Sequence, residues 1–113
     1  MKKKPKIFIG HILDSIEDIE KYTHHTSKEK FIQMKMMQDA IIRRIEIIGE
    51  AVKNIPLTFR KDYPHIPWQD MAGMRDILIH EYFGININIV WKTVQKDIPK
   101  LKKEIEELYN ELP

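Results

Sequence analysis

There is no cysteine among the 113 residues. That excludes disulfides, thiol nucleophiles and cysteine-zinc sites, and it suits a reducing cytoplasm. No run approaches the roughly 20 apolar residues of a membrane-spanning helix. The basic opening MKKKPK leads into no secretory core, because Asp14 and Glu17 interrupt the apolar positions behind it. Charge of one sign is also scarce: a net charge of +2 permits a polyanionic partner such as RNA without demanding one. Glycine-rich phosphate loops, zinc-finger spacings, sustained heptads and internal repeats are missing as well. What remains is one domain over residues 1–113, expected in the cytoplasm, off the membrane and without a cofactor. A chain this short leaves much surface poorly covered, and a homodimer is the common remedy.

What is present reads as helix. After a basic arm over residues 1–5, Ile9, Ile12, Ile16 and Ile19 form one stripe, with Leu13 beside it and Asp14, Glu17, Asp18 and Glu20 facing away. This predicts a first helix from Lys6 to about His24. His24 and His25 then sit at the negative end of the helix dipole. Adjacent histidines diverge and no third ligand is evident, so they do not read as a metal site. Ser27 is a cap for a long second helix. Phe31, Met34, Met37, Ile41, Ile45, Ile48, Val52 and Ile55 step along it by threes and fours. Met34, Met36 and Met37 read as adaptable packing near a groove or interface. Gly49 within this helix costs about 1 kcal/mol against alanine, which close approach of another helix would justify.

Pro56, Pro64 and Pro67 shape a linker from about Ile55 to Ile66, in which Leu57, Thr58 and Phe59 are expected to form a short turn or helical piece. Pro67 opens a third helix carrying Trp68, Met71, Ala72, Met74, Leu78 and Ile79, with Gly73 as a second point of close approach and Gly84 as its end. Asn86 caps a fourth helix with Ile89, Val90, Trp91 and Val94, where Trp91 is a core or interface anchor. Asp97 and Pro99 then read as a restart, with Asp97 as the cap of a last helix bearing Leu101, Ile105, Leu108 and Leu112. The expected fold is all-α: an antiparallel bundle of four to five helices, assembled as a homodimer.

The chemistry concentrates in Met74 to Gly84, MRDILIHEYFG. Histidine titrates near neutrality and can move a proton to or from a ribose or leaving-group oxygen. Arginine offers a fixed fork of donors that matches a phosphate. His80 and Arg75 supply these two groups, and Asp76, one turn before His80, can accept its second ring proton. Tyr82 can donate to a phosphate or stack on a base. On an ideal helix Arg75 and His80 diverge by about 140°, so a groove between helices or subunits is needed to gather them. The plain structural alternative is arginine and tyrosine on a helix surface, with histidine bonded to a nearby carbonyl. Outside this segment, Arg43 and Arg44 lie mid-helix, with Glu46 and Glu50 able to pair along the Arg43 side as a solvated ionic face. Arg60 and Lys61 add local positive charge able to hold an RNA backbone.

The spacing of Arg75, His80 and Tyr82 resembles the R-x4-H-x-Y signature of the HepT-like (DUF86) proteins of the HEPN superfamily. RRIEIIGEAVKNI (Arg43 to Ile55), PWQDMAGMRD (Pro67 to Asp76) and YFGININIVWKTVQKDIPKL (Tyr82 to Leu101) resemble successive segments of the same family. Together they cover most of the chain in order. The resemblance implies a HEPN-like helical homodimer whose arginines and histidines line a shared cleft. It implies an RNA-cleaving toxin, with tRNA among its targets, and metal-independent chemistry. The sites it implies are Arg75, His80 and Asp76 for catalysis and Tyr82 for positioning RNA; Arg43, Arg44, Arg60 and Lys61 are candidates for holding RNA by their charge alone. It also implies an antitoxin partner, an MntA-like minimal nucleotidyltransferase that transfers AMP to Tyr82. Two other readings stay open: a noncatalytic module for such a nucleotidyltransferase, and a helical nucleic-acid-binding regulator, against which the want of a clear helix-turn-helix argues.

Overall fold

Apolar residues at steps of three and four give helices that bury one face each, and helices are the only regular elements among the described residues. The computed structural model describes the backbone of residues 4–80 and 86–113, and the side chains of 4–75 and 86–113. Over these it holds α1 (Pro5–Thr23), α2 (Lys28–Gln33), α3 (Lys35–Lys53), α4 (Leu57–Lys61), α5 (Trp68–His80), α6 (Ile87–Lys92), a π turn (Thr93–Asp97) and α7 (Ile98–Glu111). The all-α expectation holds, and among the described residues there is no strand. None of the described helices is long and apolar enough to cross a membrane.

One core joins the elements. Ile9, Ile12, Ile16 and Ile19 of α1 meet Ile41, Ile45, Ile48 and Val52 of α3, closed by Met71 of α5 and by Leu101, Ile105 and Leu108 of α7. The α1–α7 pair is antiparallel. Lys6, at the start of α1, donates to the Leu112 carbonyl (3.2 Å) and lies 4.7 Å from the centre of the Tyr109 ring. Near the other end, Lys102 Nζ stands 2.7 Å from Glu20 Oε1. The hydrogen bond and charge of Glu20 hold the Lys102 ammonium above its ordinary range.

Two of the predicted caps are present. The Ser27 hydroxyl accepts from Lys30 N (3.2 Å), and the Asn86 side chain accepts from Asn88 N (2.9 Å). Two boundaries differ from the sequence expectation. The second helix does not run unbroken, because Met34 leaves helical geometry (φ −106°, ψ 86°). The Gln38 amide repairs the break by donating to the Phe31 and Ile32 carbonyls, each at 2.9 Å. The linker contains a short helix, α4, where Leu57, Thr58 and Phe59 are expected to form a turn or helical piece. The fourth and last helices are continuous: Asp97 is itself helical (φ −83°, ψ −40°) and makes no capping bond, and Ile98 N reaches back to the Thr93 carbonyl. Pro99 has no N–H to give, and the wider turn ahead of it absorbs that loss without ending the helix. The expected end of the third helix at Gly84 lies outside the described residues. Of the three methionines, Met37 packs on the core, whereas Met34 and Met36 are exposed on the single chain.

Arg60 has a structural use. Its Nε donates to the Ile55 carbonyl (3.0 Å) and its Nη2 to the Val52 carbonyl (2.7 Å), so the guanidinium caps the end of α3. Arg60→Ala is expected to cost about 1–2 kcal/mol of stability, read as a lower urea midpoint with an unchanged slope. An unchanged midpoint would show that water replaces these bonds without loss.

Candidate active site

Helix α5 is anchored at its start. Trp68 is buried, and its ring N–H donates to the Tyr63 carbonyl at 3.0 Å. Met71 is buried and closes the first turn on the Pro67 carbonyl at 3.1 Å. From this footing α5 crosses α3 at Gly49. A Cβ built on Gly49 would overlap Arg75 Cβ and lie 2.9 Å from its Cγ and 3.3 Å from the Met71 carbonyl. The close approach expected at Gly49 is therefore present, and the side chain that fills the space is Arg75. Gly73 behaves otherwise: a Cβ there meets nothing within 4 Å, so it marks no close contact among the described residues.

The stem of Arg75 lies on α3, and its Nη2 stands 3.9 Å from Glu50 Oε1. The Arg75 side chain is 27% exposed and that of Glu50 44%. The guanidinium is thus steered by a packed stem and an adjacent carboxylate while its edge stays open to solvent. At that exposure the ion pair steers more than it stabilises. Such a group can receive a phosphate oxygen.

The described part of the same helix continues to His80. The side chains of Asp76 and His80, and the whole of Tyr82, lie outside the described residues, as does any contact between them and Arg75.

The basic residues of α3 are partly committed. Arg43 pairs with Glu46 (3.7 Å), and Arg44 crosses to Asp18 of α1 (3.6 Å). Glu50, expected to share the Arg43 side, pairs with Arg75 instead. Arg43 remains exposed on the same stripe, two turns or about 10 Å along the helix from Glu50. Arg60 is the cap described above, and Lys61 is exposed in the last turn of α4. Sequence reasoning missed the Glu50–Arg75 pair. The available signal was Gly49, which marked a crossing point without saying which residue crosses there. No group of three histidine, aspartate or glutamate residues is placed to hold a metal ion among the described residues. The His24 and His25 rings lie with centres 3.8 Å apart and planes tilted by 48°.

Residues 12–108 match the family model described as "Ribonuclease HepT-like". The chain is 49% identical over 108 residues to the "Probable ribonuclease HepT" of Thermococcus cleftensis, covering 96% of this chain and 98% of that one. It is 55% identical over 112 residues to a "Gamma-glutamylcyclotransferase and putative RNase" of Methanocaldococcus jannaschii. That match takes in 99% of this chain but only 50% of the longer relative. No solved structure matches the chain significantly.

Proposed function

The chain belongs to the HepT-like ribonuclease family, and from that premise we propose that it is the RNA-cleaving toxin of a toxin–antitoxin pair. The observation that carries this reading is Arg75, a guanidinium seated over Gly49, steered by Glu50 and open to solvent, on the helix that reaches His80. Two copies of the chain form a cleft that collects Arg75 and His80 from both subunits. Pairing answers the rotation of about 140° between the two positions on one helix.

In the cleft, His80 moves the proton between the ribose hydroxyl, the solvent and the departing oxygen. Arg75 stabilises the charge that builds on the phosphoryl oxygens as the phosphodiester is cut. Asp76 holds the second ring nitrogen of His80. Tyr82 positions the RNA, and Arg43, Arg44 and Lys61 hold its backbone electrostatically. Arg60 contributes charge only, since its donors serve the end of α3.

Tyr82 is also the point of control. A minimal nucleotidyltransferase joins the tyrosine oxygen to the α-phosphorus of ATP, and pyrophosphate leaves. The added AMP brings bulk and negative charge to the cleft mouth and repels an RNA phosphate.

The test is incubation of the purified chain with total RNA in excess EDTA, resolved on denaturing gels, with light scattering on the same sample. Discrete cleavage that persists in EDTA, from a species of twice the chain mass, is the expected result. Intact RNA across all substrates would favour the noncatalytic nucleotidyltransferase partner instead.

A further inference from the structure

Glutamate is an odd neighbour for an arginine that receives a phosphate. A carboxylate there lowers the local positive potential and works against RNA binding. Yet Glu50 Oε1 stands 3.9 Å from Arg75 Nη2. Stability does not account for the pair, because both side chains reach solvent and exposed ion pairs contribute little. At this separation the contact is ionic and is not a hydrogen bond. Lys102 and Glu20, at 2.7 Å, show the closer alternative in the same molecule.

Gly49 solves only half of the problem of aiming Arg75. Its missing Cβ lets Arg75 Cβ and Cγ seat against α3. Beyond Cγ the side chain still turns about its remaining torsions, and arginine has more rotamer freedom than most residues. A fork of donors helps the reaction only when it points at the phosphoryl oxygens. The residue after Gly49 on α3 is Glu50, about 100° further round the helix. Its carboxylate biases the outer torsions of Arg75 without closing on the guanidinium. Glu46, one turn earlier on the same face, stands 3.7 Å from Arg43 and serves a different arginine.

We infer that Glu50 is a positioning residue for the cleavage step: it gives up some RNA affinity and in return aligns the Arg75 fork on the transferring phosphoryl group. This role rests on the ribonuclease reading and adds a residue to that site. It has a signature that a merely structural carboxylate lacks. Removing the charge of Glu50 moves affinity and rate in opposite directions, because the repulsion of the RNA backbone goes and the aim of Arg75 goes with it.

The experiment is single-turnover cleavage of one labelled RNA over a range of protein concentrations, which separates the maximal rate from the half-saturating concentration, with a thermal melt of each protein. Glu50→Gln is expected to lower the maximal rate about tenfold, short of the roughly 10²-fold that a 1 Å misplacement can cost. Its half-saturating concentration is expected to fall about threefold. Glu50→Asp keeps the charge on a shorter stem and is expected to recover about threefold of the lost rate. Glu46→Gln removes an equal charge from the same helix and is expected to tighten binding to a similar degree at an unchanged rate. All three are expected to melt with the wild type. A wild-type rate in Glu50→Gln, an equal rate loss in Glu46→Gln, or a loss carried wholly by a higher half-saturating concentration overturns the role of Glu50. A rate loss that vanishes well below the melting temperature marks Glu50 as structural and overturns it too. In each of these cases the wild-type chain still cuts RNA. A wild-type chain that cuts none removes the ribonuclease reading itself, and this role with it.

Discussion

His80→Ala is expected to lower RNA cleavage by about 10²–10⁴-fold, the range general acid–base catalysis supplies, while the protein keeps its fold. The expectation follows from the histidine standing on the same helix as Arg75, with Asp76 one turn before it. Imidazole is the only side chain here whose ordinary titration range lets it both take and give a proton near pH 7. The loss should fall on the chemical step. RNA affinity by anisotropy should change little, since the basic residues proposed to hold the backbone remain. Arg75→Lys should fall between the variant and the wild type, because an ammonium keeps the charge but loses the fork. A folded His80→Ala protein that cuts RNA at the wild-type rate would remove the proposed mechanism.

Gly49→Ala is expected to destabilise the protein by about 1–3 kcal/mol, the usual cost of overpacking. Two effects oppose each other at this position. Alanine favours an isolated helix over glycine by about 1 kcal/mol. Against that, the new Cβ would occupy the volume of Arg75 Cβ and press on the Met71 carbonyl. Backbone cannot move aside as the end of a flexible side chain can, so α3 and α5 must separate. For a domain of this size each kcal/mol lowers the melting temperature by roughly 4–8 °C. Cleavage should fall along with stability even at temperatures where the variant is folded, because the moved helix carries Arg75. Gly73→Ala is the internal control. A Cβ there meets nothing within 4 Å, so helix propensity acts alone and stability should rise by about 0.5–1 kcal/mol. Equal responses at the two glycines would refute the packing account.

Much of the architecture was legible because helices announce themselves locally. Ile9, Ile12, Ile16 and Ile19 of α1 and Ile41, Ile45 and Ile48 of α3 recur at helical steps and all lie in the core. Ser27 and Asn86 cap the helices that follow them. The errors have a physical pattern. The break at Met34 was invisible because Phe31 before it and Ile41 after it both reach the core, so the apolar rhythm continues through the kink. Asp97 and Pro99 carry the chemistry of a helix start, yet the chain solved the missing proline N–H with a π turn, which leaves no residue signature of its own.

The site divides along the same line. Spacing alone put Arg75 and His80 on one helix and marked Gly49 as a crossing point, since periodicity, caps and glycine cost are properties of neighbours along the chain. Only the tertiary structure decided that Arg75 fills the space over Gly49, that Glu50 turns to it and away from Arg43, and that Arg60 serves the end of α3. The same packing buries a carboxylate oxygen of Glu104. Those outcomes depend on where two helices cross and at what rotation. That is set by how the whole core packs, and no window of sequence contains it.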